Sequence, residues 1–362
     1  MARIDSFLRL VAEQQASDLH FHGGNVPIIR HDGDLVPLPF RVLSAQEARR
    51  FLLEAMTVEQ KEMLARDQQV DFMYELPGVS RFRANVFVQN QGLGAVFRII
   101  PGRVPTLEEL MLPSAIKKLT GLSNGLVLVT GPTGAGKTTS LAAMVHEINL
   151  SSQRHIITIE DPVEFVHEPI KGVITQREVG THVESFAAGL RSGLRETPDV
   201  IVLGEMRDSE TAQLALSAAE TGVLVFGTLH TNSAAKAVDR IIDVIPEDVR
   251  EQARSVLSVV LRGVVAQHLC KKASGEGRVA AAEVLLQSHA ISHLIRENKI
   301  HQIETYLQSD AEDGAGMQSL DRSLLRLVRE GMVSAEEAVK YANYPETFRR
   351  QASLLVALNE DA

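Results

Sequence analysis

A single cysteine, Cys270, stands in 362 residues, and there is no tryptophan. One thiol can neither close an internal disulfide nor supply a four-cysteine zinc site. That excludes the disulfide-stapled secreted classes and points to a reducing compartment. Cys270 has no nucleophile constellation around it in the sequence and reads as an inert, packed thiol. Positive charge is also short: 37 Lys and Arg against 46 Asp and Glu leave a formal net charge of −9. No global basic field draws polyanions to the surface, and four tyrosines offer little surface for stacking bases. Nucleic acid is therefore not expected as a partner. Long apolar runs are missing too. A bilayer span needs about 20 mostly apolar residues, and the best stretch, residues 256–266, is short and interrupted by Arg262. Residues 1–15 place Ile4, Phe7, Leu8 and Val11 at helical spacing, without the apolar core of a signal peptide. A cytoplasmic protein with no transmembrane segment is expected.

What is present is globular: 44% hydrophobic and 23% charged residues, in a chain long enough for two or three domains. The first hundred residues read as a small α+β unit. Short strands are expected at Asp18–His22 and 26–30, with a hairpin turn signalled at Asp32-Gly33, helical composition over 45–66, then strands at 81–89 and 95–100 around the turn Asn90-Gln91-Gly92. In the strand 81–89, Phe82, Ala84, Val86 and Val88 alternate with Arg81, Arg83, Asn85 and Gln89, so the two arginines share a face opposite the apolar one. Pro101-Gly102 and Pro105 then break the pattern, and residues 101–121 read as a linker. From Gly125 the apolar runs 126–129, 156–159, 200–203 and 223–228 lack polar alternation, as strands of a parallel sheet covered on both faces do. The segments between them are long enough for crossover helices. An α/β domain is expected over 122–270, followed by a mostly helical part over 271–362 with a polar loop at 309–316.

The strongest motif is Gly131-Pro132-Thr133-Gly134-Ala135-Gly136-Lys137-Thr138, which leads into Thr139 after an apolar run. This is the GxxxxGK[ST] phosphate loop, in which backbone amides curl around an anion at a helix N-terminus. Lys137 would reach the β- and γ-phosphates of ATP, and the Thr138 hydroxyl would ligate Mg²⁺. A second apolar run ends in Gly204-Glu205, placing a carboxylate where it could polarise a water. A third ends in Glu160-Asp161-Pro162-Val163-Glu164, whose Glu160 and Asp161 could hold Mg²⁺ through water. The fourth ends in Thr228-Leu229-His230, a histidine that could sense the γ-phosphate. Arg81 and Arg83 are either a solvated strand face or cations supplied to the phosphates, which a phosphoryl-transfer site needs.

The ordered set of phosphate loop, Glu160-Asp161-Pro-Val-Glu164, Gly-Glu205-Met-Arg207-Asp208 and Thr-Leu-His230-Thr-Asn resembles the secretion ATPases of bacterial type II secretion and type IV pili. Ser17-Asp18-Leu19-His20, Arg81-Phe-Arg83-Ala-Asn-Val-Phe and Gly316-Met-Gln-Ser-Leu-Asp321 extend the resemblance over nearly the whole chain, to the pilus-retraction (twitching motility) branch of that family. The resemblance implies a RecA-like P-loop ATPase domain behind a PAS-like N-terminal domain, 1–100, with the helical C-terminal part belonging to the ATPase domain. It implies a homohexamer with nucleotide between the two domains, acting on an inner-membrane pilus platform protein from the cytoplasmic face. A paralogous retraction ATPase is a further implied partner. By position, Glu205 would be the catalytic carboxylate, Glu164 the acidic-box glutamate and His230 the phosphate-contacting histidine, with Arg81, Arg83 and Arg98 serving the nucleotide. The assembly and type II secretion relatives usually carry a four-cysteine zinc insertion, which a single cysteine cannot supply. That favours the retraction branch, with an accessory retraction ATPase as the alternative. One motif departs from the family: its Ala-Ile-Arg-Asn-Leu-Ile-Arg-Glu reads Ala290-Ile-Ser292-His293-Leu-Ile-Arg296-Glu297 here. Ala290, Ile291, Leu294 and Ile295 form the expected apolar stripe of this helix.

Overall fold

The computed structural model describes residues 2–31, 33–100, 102–309 and 316–360. Asp32 of the expected turn, Pro101 of the expected break and residues 310–315 of the expected polar loop lie outside them. The chain divides into two compact units, Met1–Arg103 and Val104–Ala362. No helix among the described residues is long and apolar enough to cross a membrane.

The first unit holds an antiparallel sheet of β1 (Asp18–His22), β2 (Ile28–His31), β3 (Asp34–Pro37), β4 (Gln69–Leu76), β5 (Ser80–Gln89) and β6 (Gly92–Ile100), in the order β3-β2-β1-β6-β5-β4. The expected single helical stretch is two helices, Ala45–Glu54 and Val58–Asp67. Each starts with a capping box, Ser44 with Glu47 and Thr57 with Gln60, and the second box cuts the stretch in two. Ile4, Leu8, Phe21, Leu52, Phe82 and Phe97 share one apolar core. Phe82, Ala84 and Val86 face it as the alternation requires, but Val88 does not; at the far end of β5 it is 47% exposed.

The second unit holds β7 (Gly125–Thr130), β8 (His155–Glu160), β9 (Val173–Glu178), β10 (Val200–Leu203), β11 (Leu224–Leu229), β12 (Leu261–Lys271) and β13 (Arg278–Leu286), in the order β13-β12-β7-β11-β10-β8-β9. All neighbours pair in parallel except β12 with β13. The lack of polar alternation has its reason in two apolar layers. Leu126, Leu128, Ile157, Ile159, Ile201 and Leu203 face one, and Val127, Val129, Ile156, Val200 and Val202 face the other. Helices Ser114–Thr120 and Lys137–Ser151 cover the second layer. Leu107, Leu112, Ile116 and Leu119 are buried there, so the stretch expected as a linker joins this core from Leu107 onward.

The mostly helical C-terminal part opens with a strand, β13, which completes the sheet before the helices begin. In helix His289–Arg296, Ile291 and Ile295 are buried as expected, whereas Ala290 is exposed beside the helix start. Cys270 is buried, and burial pushes its thiol up to about 12, which leaves it protonated and unreactive.

Glu283 on β13 ties the sheet to a helix start. Its Oε1 accepts the buried Ala234 amide at 2.7 Å, at the first residue of helix Ala234–Asp243, which follows β11. Burial raises the Glu283 carboxyl above its ordinary 4.5, against the opposing pull of the Ala234 and Leu320 amides. A carboxyl raised in the folded state keeps a proton that the unfolded chain loses, so its contribution to stability falls as pH rises through that window. Glu283→Gln cannot ionise. Its urea midpoint, compared with that of the unmodified protein, is expected to shift in the variant's favour as pH rises from about 4.5. A difference independent of pH would contradict this.

Candidate active site

Parallel register sets the site. Thr130 pairs with Leu229, Gly227 with Leu203, and Leu203 with Ile159, so β7, β11, β10 and β8 end side by side on one edge. The segments that continue them are pinned to one another. Thr130 Oγ1 donates to Thr231 O at 2.7 Å, and the Thr231 amide donates back to that hydroxyl at 2.9 Å. Thr228 Oγ1 donates to Gly204 O at 2.5 Å, and the Gly204 amide donates to Ile159 O at 2.8 Å. His230, Glu205 and Glu160 thus each lie next to an anchored residue, and the phosphate loop is anchored where it leaves β7.

The phosphate loop runs from β7 into helix Lys137–Ser151. Gly136 takes φ 84° just before the helix, a left-handed value that favours glycine. The first amides of the helix, those of Lys137, Thr138 and Thr139 among them, have no acceptor four residues back and face outward from the helix start. Lys137 is buried, and its ammonium donates to Gly131 O at 2.8 Å and Pro132 O at 3.1 Å. It also lies 3.3 Å from His230 Nδ1, while His230 Nε2 lies 3.0 Å from Glu205 Oε1. An ammonium can only donate and a carboxylate can only accept, so one neutral tautomer, with the proton on Nε2, satisfies both contacts. Lys137, His230 and Glu205 form a single chain of charge and dipole.

Glu205 also pairs with Arg207. Burial pushes the Glu205 carboxyl up, but the Arg207 and His230 contacts outweigh it and hold it below the usual carboxylate range. Burial lowers Lys137, with Glu205 opposing. At the next strand end, burial raises Glu160 to about 7, with Glu164 and Glu178 adding repulsion, although Thr158 Oγ1 donates to Glu160 Oε1 at 2.6 Å. Asp161 is exposed and near enough to favour the charged form of Arg207. Among the described residues, no cluster of three or more His, Cys, Asp or Glu forms a metal cage of its own. The donors that are present, the Thr138 hydroxyl with the Glu160 and Asp161 carboxylates, are hard oxygens. They suit an Mg²⁺ that brings phosphate oxygens and water with it.

The family model "Type II/IV secretion system protein" matches residues 2–340. The chain belongs to the type II/IV secretion system protein family. It is 48% identical over 345 residues to the type IV pilus retraction ATPase PilT of Pseudomonas aeruginosa, covering 95% of this chain and 99% of that protein. It is 39% identical over 350 residues to the type IV pilus ATPase PilU of the same organism, covering 97% and 91%. Among solved structures it is similar to the pilus retraction motor PilT with bound ADP, with a TM-score of 0.87 and 41% identity over 97% of this chain and 100% of that one.

Within this secretion-family chain, Lys137, His230, Glu205 and the Glu160–Asp161 strand end meet at one sheet edge, and Glu164 follows as a half-buried side chain. Arg81 and Arg83 belong to the first unit, on the non-core face of β5, where Arg83 Nε lies 3.9 Å from Asp71 Oδ1. Arg98 Nε donates to the buried Asp18 at 2.8 Å, so it serves that unit's own packing. The sequence reading missed Thr130 and Thr231, which join two loops across 101 residues. The pairing of Glu205 with Arg207, two residues on in Gly-Glu-Met-Arg, is by contrast within reach of the sequence, and the structure has it. Replacing Lys137 with Ala removes the cation that links the loop to Glu205. Steady-state ATPase activity is expected to fall well beyond tenfold, a loss greater than about 1.4 kcal/mol in transition-state stabilisation. Near-normal kcat would show that the loop is not the phosphate site.

Proposed function

We propose that the chain is an ATP-hydrolysing hexameric motor that powers type IV pilus retraction, and with it twitching motility, by driving pilin disassembly at the inner membrane. The observation that carries this is the Lys137–His230–Glu205 chain at the parallel sheet edge. It supports phosphoryl transfer in particular because it joins a phosphate-reaching cation to an ionised carboxylate. Lys137, held by loop carbonyls, exchanges them for phosphate oxygens, and the helix-start amides from Lys137 to Thr139 receive the remaining negative charge. Glu205, kept ionised, accepts the proton of an attacking water or orients it. His230 holds Glu205 through Nε2 and reaches the γ-phosphate through Lys137, whose ammonium donates to its Nδ1. Mg²⁺ on the phosphates would neutralise charge as the bond breaks, held by the Thr138 hydroxyl and, through water, by Glu160 and Asp161, with Glu164 as the acidic-box glutamate. Arg81 and Arg83 supply further positive charge to the same reaction. The motor works on an inner-membrane platform protein from the cytoplasmic side, as a peripheral protein.

A second reading is an accessory retraction ATPase that joins a paralogous ring. The altered segment 290–297 favours it, since Ser292 and His293 stand where the retraction branch has Arg and Asn. The higher identity to PilT than to PilU favours the main motor. Glu205→Gln keeps the shape but cannot take a proton. It is expected to bind ATP normally, to lose about 10²–10⁴-fold in kcat, and to leave cells piliated but unable to retract. Hydrolysis at the unmodified rate would remove Glu205 from the chemistry, and normal retraction without hydrolysis would remove the motor.

A further inference from the structure

Gln267 sits where the register of the sheet puts it. β12 runs parallel to β7 and pairs Val265 with Val129 and Ala266 with Thr130. The next residue of β12 therefore lies beside the first residue of the phosphate loop. Gln267 Nε2 donates to Ala135 O at 2.6 Å, and both groups are buried. Only the amide nitrogen can donate to a carbonyl, so this bond fixes which way the amide points. Oε1 is left buried with no hydrogen-bond partner among the described residues. The backbone of the same residue touches the loop as well. A Cβ built on Gly131 would stand 2.4 Å from Gln267 O, and one on Gly136 would meet Gln267 Nε2 at 3.2 Å. One residue thus meets the loop at its start, its middle and its end.

The neighbours Val264, Val265 and Ala266 are all buried and apolar. A leucine at 267 would satisfy that environment without burying an amide oxygen that has no partner, which costs stability. The bond to Ala135 is what the amide gains. The loop needs it because Gly131, Gly134 and Gly136 all take positive φ, and glycines lose the most freedom when fixed. A loop left unfixed would have to be ordered by the nucleotide at the expense of affinity.

We propose that Gln267 is the positioning residue that holds the phosphate loop in its anion-receiving conformation, so that it sets nucleotide affinity without touching the nucleotide. This rests on the nucleotide-binding reading above.

The test measures equilibrium binding of Mg-ADP and steady-state ATPase kinetics on the full chain, for the unmodified protein and for Lys137→Ala, Gln267→Leu and Gln267→Glu. Gln267→Leu is expected to weaken ADP binding about tenfold, near 1.4 kcal/mol, and to raise KM more than it lowers kcat. Gln267→Glu sets a carboxylate oxygen against Ala135 O. It is expected to bind more weakly still at pH 8 and to recover as pH falls to 6, where the protonated carboxyl can donate. The unmodified protein and Gln267→Leu should show no such recovery. Unmodified affinity in Gln267→Leu, or no pH recovery in Gln267→Glu, overturns the proposal. If the unmodified protein itself fails to bind Mg-ADP, the nucleotide reading falls. If it binds and Lys137→Ala does not, while Gln267→Leu is unchanged, only the role of Gln267 falls.

Discussion

Parallel pairing in register, β7 to β11 to β10 to β8, is the constraint on which the site depends. A parallel strand presents its last residue to the same edge as its neighbour's, so four separate stretches of sequence deliver their polar ends together. Shift one strand by a residue and its side chains would exchange layers, upsetting the packing of both and carrying its polar end away from the shared edge. The burial that fixes the register is therefore the same force that fixes the distances between Lys137, His230 and Glu205. Precision at the edge comes from the core.

Charge at that edge is arranged in a line. The Lys137 ammonium, the His230 ring, the Glu205 carboxylate and the Arg207 guanidinium alternate in what they offer, so each group satisfies the next. Lys137 leans on two carbonyls of its own loop. Those are neutral acceptors, weaker partners for an ammonium than charged phosphate oxygens. The site is thus self-satisfied yet biased toward exchanging those carbonyls for an anion. Glu283 extends the same logic away from the chemistry, since it binds the amide that opens the helix just beyond His230.

Much of this was legible in the sequence, and the reasons are specific. Strands buried on both faces must be apolar at every position, so 126–129, 156–159 and 200–203 stood out. Phosphate chemistry demands glycines, a lysine and a hydroxyl at fixed spacing, so the loop did too. β9 escaped because it is a half-exposed edge strand that reads Val-Ile-Thr-Gln-Arg-Glu. β12 escaped because its apolar run is shared with helix Arg250–Val260 and shows no change of period. The clean alternation of β5 led to Val88, where the strand outruns the core. Gln267 carried no signal at all: its role arises from pairing with a loop 132 residues away, and nothing local records a register.

The most direct measurement is a structure determined with Mg-ADP. The account predicts the diphosphate against the amides of the phosphate loop, with Lys137 Nζ moved from Gly131 O and Pro132 O to the β-phosphate. ADP bound elsewhere, or Lys137 still held by its two carbonyls beneath a bound diphosphate, would contradict it.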